Sequence, residues 1–214
     1  MNRREWTLAT AALATLPGLA LAQAAGAEPR EGRDYIVLDK KVPTEAPAGK
    51  VEVIEFFWYS CPHCNAFEPT LESWIKAAPA DVAVRRVPVA FRADFQPQQK
   101  LFYTLEALKK VDEFQVKVFN AVHRERQPLN TDDAIIAWAV KQGFERAKFT
   151  EIYQSFSVAT KLRQAVQLQD AYKVEGVPSL GIGGRFYTDG TLAGSMERAL
   201  QVTNFLIERV RKNR

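Results

Sequence analysis

The chain has 214 residues, 47% of them apolar, which is enough to bury the core of one domain or two small ones. A net charge of +4, with no basic run interleaved with aromatics, argues against a nucleic-acid-binding surface. Only two cysteines are present, Cys61 and Cys64, directly flanking Pro62-His63.

Taken in order, the chain opens with Arg3-Arg4, an apolar run from Trp6 to Ala22 broken at Pro17-Gly18, and small-residue sites at Ala20-Leu21-Ala22 and onward to Ala27. This pattern predicts a secretory signal peptide over residues 1–22, with cleavage as late as 27. The run falls short of the ~20 residues that a membrane span needs. Arg3-Arg4 also fits the twin-arginine export route, but the ordinary secretory route is preferred.

Residues 34–38 predict a short strand, and residues 51–59 (Val-Glu-Val-Ile-Glu-Phe-Phe-Trp-Tyr) a buried central one. Pro62 suits the first turn of a helix, here expected from Pro62 to Ala77. Val82–Val89 predicts another strand. From 97 to 172 the apolar period is helical: Leu101, Leu105 and Leu108 share a face, as do Ile135, Ile136, Ala139 and Val140. Asn130-Thr131-Asp132-Asp133 supplies the cap of that second helix and Gly143 its stop. Phe149, Ile152, Tyr153 and Phe156 form another stripe, and Val158, Leu162, Ala165 and Leu168 a further one. Strand character returns at Pro178–Ile182, a Gly183-Gly184 turn follows, and Arg185–Thr188 completes a hairpin. The last helix runs from Ser195, its cap, to Val210. The organisation is an α/β domain over residues 23–214, with a helical insertion at 97–172.

Cys61-Pro62-His63-Cys64 sits where strand gives way to helix. As a structural staple the pair is poor, because closing so small a loop is worth only about 2 kcal/mol before strain. A zinc site needs four ligands, and outside the motif only His123 is available. A c-type haem site needs histidine directly after Cys64, where Asn65 stands. No metal or cofactor is therefore expected. Redox chemistry has a mechanism. Unpaired backbone N–H groups and the dipole at a helix N-terminus favour a thiolate at Cys61, and a protonated His63 adds positive charge. Stabilising that thiolate stabilises the reduced protein, so the disulfide becomes a stronger oxidant. Cys64, one turn into the helix, is expected to be more buried and less reactive.

These residues resemble the thioredoxin superfamily and, more narrowly, the DsbA family of bacterial periplasmic oxidases. The resemblance rests on Glu55-Phe56-Phe57 leading into Cys61-Pro62-His63-Cys64, on Gly176-Val177-Pro178, and on the export signal, helical insertion and final helix. It implies a thioredoxin-like fold and a periplasmic enzyme that introduces disulfides into reduced or unfolded exported proteins. It implies reoxidation by a DsbB-like membrane quinone reductase and a monomeric state. Val177-Pro178 then looks like the cis-proline loop that binds substrate, and Glu55 like a buried carboxylate serving Cys64. Ser60 departs from the aromatic expected just before Cys61, which leaves the surface around that sulfur open. Alternatives within the superfamily are a disulfide reductase or an isomerase, although the chain has no room for an N-terminal dimerisation domain. A non-enzymatic chaperone is a further alternative, and it predicts loss of a motif cysteine.

Overall fold

The computed structural model describes residues 28–213; the expected signal peptide lies outside the described residues. The elements are β1 (Ile36–Val37), β2 (Val51–Phe57), α1 (Pro62–Ala77), β3 (Val82–Pro88), a 3-10 turn (Ala93–Phe95), α2 (Gln96–Ala107), α3 (Val111–His123), α4 (Asp132–Lys141), α5 (Arg146–Tyr153), α6 (Phe156–Ala171), β4 (Ser179–Ile182), β5 (Phe186–Asp189), α7 (Gly190–Ala193) and α8 (Met196–Lys212). They form a mixed sheet in the order β1-β5-β4-β2-β3.

β2 is central because it can be buried on both faces. All seven of its residues are buried, as its nearly continuous apolar run demands. It pairs in parallel with β3 from Val51↔Val82 to Phe57↔Pro88, and α1 supplies the crossover that a parallel pair requires. On its other edge it pairs antiparallel with β4, from Val53↔Ile182 to Phe56↔Ser179. Alternation divides its side chains. Val51 and Val53 pack with Phe67 and Leu71 of α1 and with Val202 and Leu206 of α8. Ile54 and Phe56 face the helices between β3 and β4, with Leu101, Val118 and Tyr172.

Gly183 and Gly184 have φ of +60° and +68°, the pair of positive angles that a tight hairpin turn needs. A Cβ on Gly184 would lie 2.0 Å from the Val42 carbonyl oxygen, so glycine is also required by space. Thr131 caps α4 by accepting from the Ala134 N–H, Gly143 (φ +93°) follows that helix, and Ser195 caps α8 through the Arg198 N–H.

Several expectations need correction. The first strand is shorter than 34–38, and β2 stops at Phe57 rather than 59, because Trp58–Ser60 turn the chain into α1. Phe156 does not continue the stripe of Phe149 and Tyr153. The Ser155 side chain accepts from the Val158 N–H and starts a new helix, which breaks the phase and leaves Phe156 81% exposed.

Candidate active site

The site grows out of the turn between β2 and α1. Cys61 is the N-cap of α1 (φ −78°, ψ 118°) and its N–H donates to the Trp58 carbonyl at 3.0 Å. Pro62 opens the helix, where a missing N–H costs nothing. Cys64 lies one turn further and is fully covered, while Cys61 keeps 7% of its surface. The expected inequality of burial is present, although Cys61 shows only a narrow face.

The two sulfurs are held at opposite ends of the titration range. Cys61 is lowered from 9.0 to about 6, first because the Cys64 thiol donates to it. The backbone N–H groups of Cys64 and His63 come next, then the charge on His63, all against a cost from burial. Cys64 is pushed far up by burial, by its role as donor to Cys61, and by the charges of Cys61 and Glu55. The helix N-terminus and His63 were foreseen; the thiol–thiol hydrogen bond, the largest contribution, was not.

The Val177-Pro178 peptide is cis, and the Cys61 thiol donates to the Val177 carbonyl at 3.4 Å. Beside this contact is an open cavity of about 360 Å³ lined by the exposed His63, Val177, Pro178, Asp189, Thr191 and Met196. Residues more than a hundred positions apart in sequence, Cys61 and His63 on one side and Val177 and Pro178 on the other, thus share one mouth.

Glu55 lies beneath it, fully buried, so a carboxylate reaching solvent is ruled out. Its register partner on β3 is Arg86, whose Nε lies 3.2 Å from Glu55 Oε2. The same guanidinium meets Glu68 Oε1 at 2.9 Å and Glu72 Oε1 at 2.7 Å. Cys64, Glu68 and Glu72 recur at intervals of four and therefore lie on one side of α1. One cation cannot balance three carboxylates. Neither Glu55 oxygen meets hydrogen-bonding geometry with another group, so Arg86 serves it as an ion pair only. Burial accordingly raises Glu55 from 4.5 to about 8, with Glu68 and Glu72 adding to the rise and Arg86 opposing it. Burial raises Glu68 as well.

The residues foreseen from sequence (Glu55, Cys61, Pro62, His63, Cys64, Val177 and Pro178) converge on this one place. Sequence reasoning missed Arg86, Glu68 and Glu72. The spacing of Cys64, Glu68 and Glu72 was a legible signal; the placement of Arg86 depends on strand register. It also missed Gln98, Gln115 and His123, which bond the turn before Cys61 and which no local pattern marks.

An N-cap cysteine lowered against a buried partner, facing a cis-proline loop on a thioredoxin-like sheet, defines a thiol–disulfide oxidoreductase. The comparisons carry this to a family. Residues 86–201 match the model of the DSBA-like thioredoxin domain. The thiol:disulfide interchange protein DsbA of Bordetella parapertussis is 45% identical over 207 residues, covering 96% of this chain and 96% of that protein. That of Burkholderia cepacia is 43% identical over 190 residues, covering 89% and 90%. A crystal structure of Pseudomonas aeruginosa DsbA superposes with a TM-score of 0.80 at 36% identity, covering 85% of this chain and 94% of that one. The chain belongs to the DsbA family. It is a protein disulfide oxidoreductase that introduces disulfide bonds by exchange with exported proteins.

Proposed function

We propose that Cys61 is the sulfur that substrates attack. A substrate thiolate attacks Cys61 Sγ of the Cys61–Cys64 disulfide, the S–S bond breaks, and Cys64 leaves as a thiolate that takes a proton. A mixed disulfide joins substrate to Cys61. The second substrate thiolate then attacks the substrate sulfur and expels Cys61 as a thiolate. Two electrons pass from the substrate dithiol to the enzyme pair, and the substrate keeps the new disulfide. The observation that carries this reading is the opposed titration of the two sulfurs: the better leaving group is Cys61, lowered to about 6.

Glu55 is the proton donor and acceptor for Cys64, since burial raises its carboxyl to about 8 and its negative charge, once ionised, favours the protonated Cys64 thiol. His63 and Pro62 tune Cys61 from the first turn of α1. The Val177 backbone, next to Pro178, pairs with an extended substrate segment beside Cys61. Residues 1–22 direct export, with cleavage up to 27, and residues 23–214 act in the periplasm as one thioredoxin-like domain with its insertion at 97–172. The enzyme works as a monomer and is reoxidised by a DsbB-type membrane quinone reductase. No helix among the described residues is long and apolar enough to cross a membrane.

The test is a pair of variants presented with a reduced substrate protein. Cys61→Ser should abolish oxidation. Cys64→Ser, presented instead with the substrate in its disulfide form, should accumulate a mixed disulfide. The Cys61 thiolate breaks the substrate disulfide, one substrate sulfur leaves as thiolate, and no Cys64 thiol resolves the product, which is visible on a non-reducing gel. Full oxidation by either variant would remove the mechanism.

A further inference from the structure

The turn that presents Cys61 has one backbone bond of its own, from the Cys61 N–H to the Trp58 carbonyl, and is otherwise held from outside. Three side chains from the helices between β3 and β4 grip it. His123 Nε2 donates to the Tyr59 carbonyl at 2.7 Å, and the Tyr59 hydroxyl donates to Gln115 Oε1 at 2.7 Å. The closest grip to the sulfur is that of Gln98, in the first turn of α2 and 3% exposed. Its Oε1 accepts from the Ser60 N–H at 3.1 Å. Its Nε2 donates to Ser60 Oγ at 2.7 Å and to the Leu129 carbonyl at 3.0 Å. A buried amide is costly unless bonded, and here both N–H groups and the carbonyl of one side chain are engaged. Two of its three bonds end on Ser60, the residue directly before Cys61. Trp58, earlier in the same turn, stacks on Phe95 just before α2, with centroids 3.8 Å apart. The bond from Ser60 N–H also removes a backbone donor that the turn could otherwise spend on a different conformation.

We propose that Gln98 is a positioning residue: by clamping Ser60 it fixes Cys61 Sγ at the N-terminus of α1, and so sets how strongly oxidising the disulfide is. The helices between β3 and β4 thereby reach the chemistry through one amide. The thiolate is stabilised by N–H groups and a thiol that must all point at one sulfur, and such bonds weaken steeply with misalignment. Freeing Ser60 lets Cys61 leave that focus without disturbing Cys64 inside the helix. This inference rests on Cys61 being the low-pKa sulfur.

The experiment compares Gln98→Leu and Ser60→Ala with Gln99→Leu. Gln99 is the adjacent buried amide, but its Nε2 donates to the Pro88 carbonyl, away from the turn. Each variant is equilibrated with reduced and oxidised glutathione, Cys61 is titrated by thiolate absorbance, and unfolding by urea is followed in parallel. Gln98→Leu should lower the equilibrium constant for oxidation of glutathione by about tenfold, the equivalent of one pKa unit on Cys61. Ser60→Ala, which keeps the backbone bond, should show a smaller fall in the same direction. Gln99→Leu should lose stability and keep the parent equilibrium constant. Loss of stability in Gln98→Leu with an unchanged equilibrium constant and Cys61 titration would overturn the proposal. If Gln98→Leu does not fold, an unchanged equilibrium in Ser60→Ala overturns it equally. A parent protein without a low-titrating thiol would instead defeat the reading of Cys61 itself.

Discussion

The reduced protein should gain stability over the disulfide form as pH rises, because only the reduced form carries the Cys61 thiolate. Cys61 titrates at about 6 in the fold against 9.0 ordinarily. A depressed pKa gives stability that is complete above the unfolded value and lost as pH falls through the folded one. Linkage over pH 5 to 8 gives a swing of about 2.6 kcal/mol for these two values. Water at the lip of the site screens part of this, so roughly 1.3 kcal/mol is a lower bound. With a urea slope of about 2 kcal/mol/M, the midpoint of the reduced form should move by about 0.6–1.3 M relative to the oxidised form. Glu55, Arg86 and the remaining titrating groups are common to both forms and largely cancel in the difference. The assay is urea unfolding of both forms at intervals from pH 5 to 8, the reduced one kept in excess dithiol. A stability difference that stays flat across this range would refute the assignment of a stabilised thiolate to Cys61.

Two further variants address the buried charges. In Glu55→Gln the carboxyl raised to about 8 is replaced by a neutral isostere. A raised carboxyl favours the fold below about 4.5 and loses that advantage as pH rises toward 8. The oxidised variant should therefore exceed the parent at pH 8 by on the order of 1–4 kcal/mol and match it near pH 4; parallel urea curves for the two proteins would contradict the buried state of Glu55. Arg86→Met leaves Glu55, Glu68 and Glu72 without their shared cation. It should cost about 3–5 kcal/mol at neutral pH and recover part of that on acidification, as those carboxylates protonate. A loss independent of pH would mean that packing, and not charge, is what Arg86 supplies.

Much of this enzyme follows from short-range rules. The seven-residue strand before Cys61, the helix begun by Pro62, the caps at Thr131 and Ser195 and the turn at Gly183-Gly184 each depend on residues within a few positions of one another. The Cys61–Cys64 spacing at a strand-to-helix junction fixes the redox chemistry in the same way, and family likeness carried Val177-Pro178 and Glu55. Phe156 shows the limit even locally, where one capping serine outweighed an apolar period.

Sequence alone thus determined the strand–turn–helix element and the pair of cysteines it carries. Only the tertiary structure decided how unequal the two sulfurs are. That inequality comes from the burial of Cys64, from Cys64 donating to Cys61 in the cap geometry, and from the charge of Glu55 beneath Cys64. It also brought Gln98 onto Ser60 across 38 positions and Val177 onto Cys61 across 116. The physical reason is one of range. Propensity and capping act through neighbours in the chain, whereas burial, charge and hydrogen-bond direction at a sulfur are set by whatever the fold packs against it.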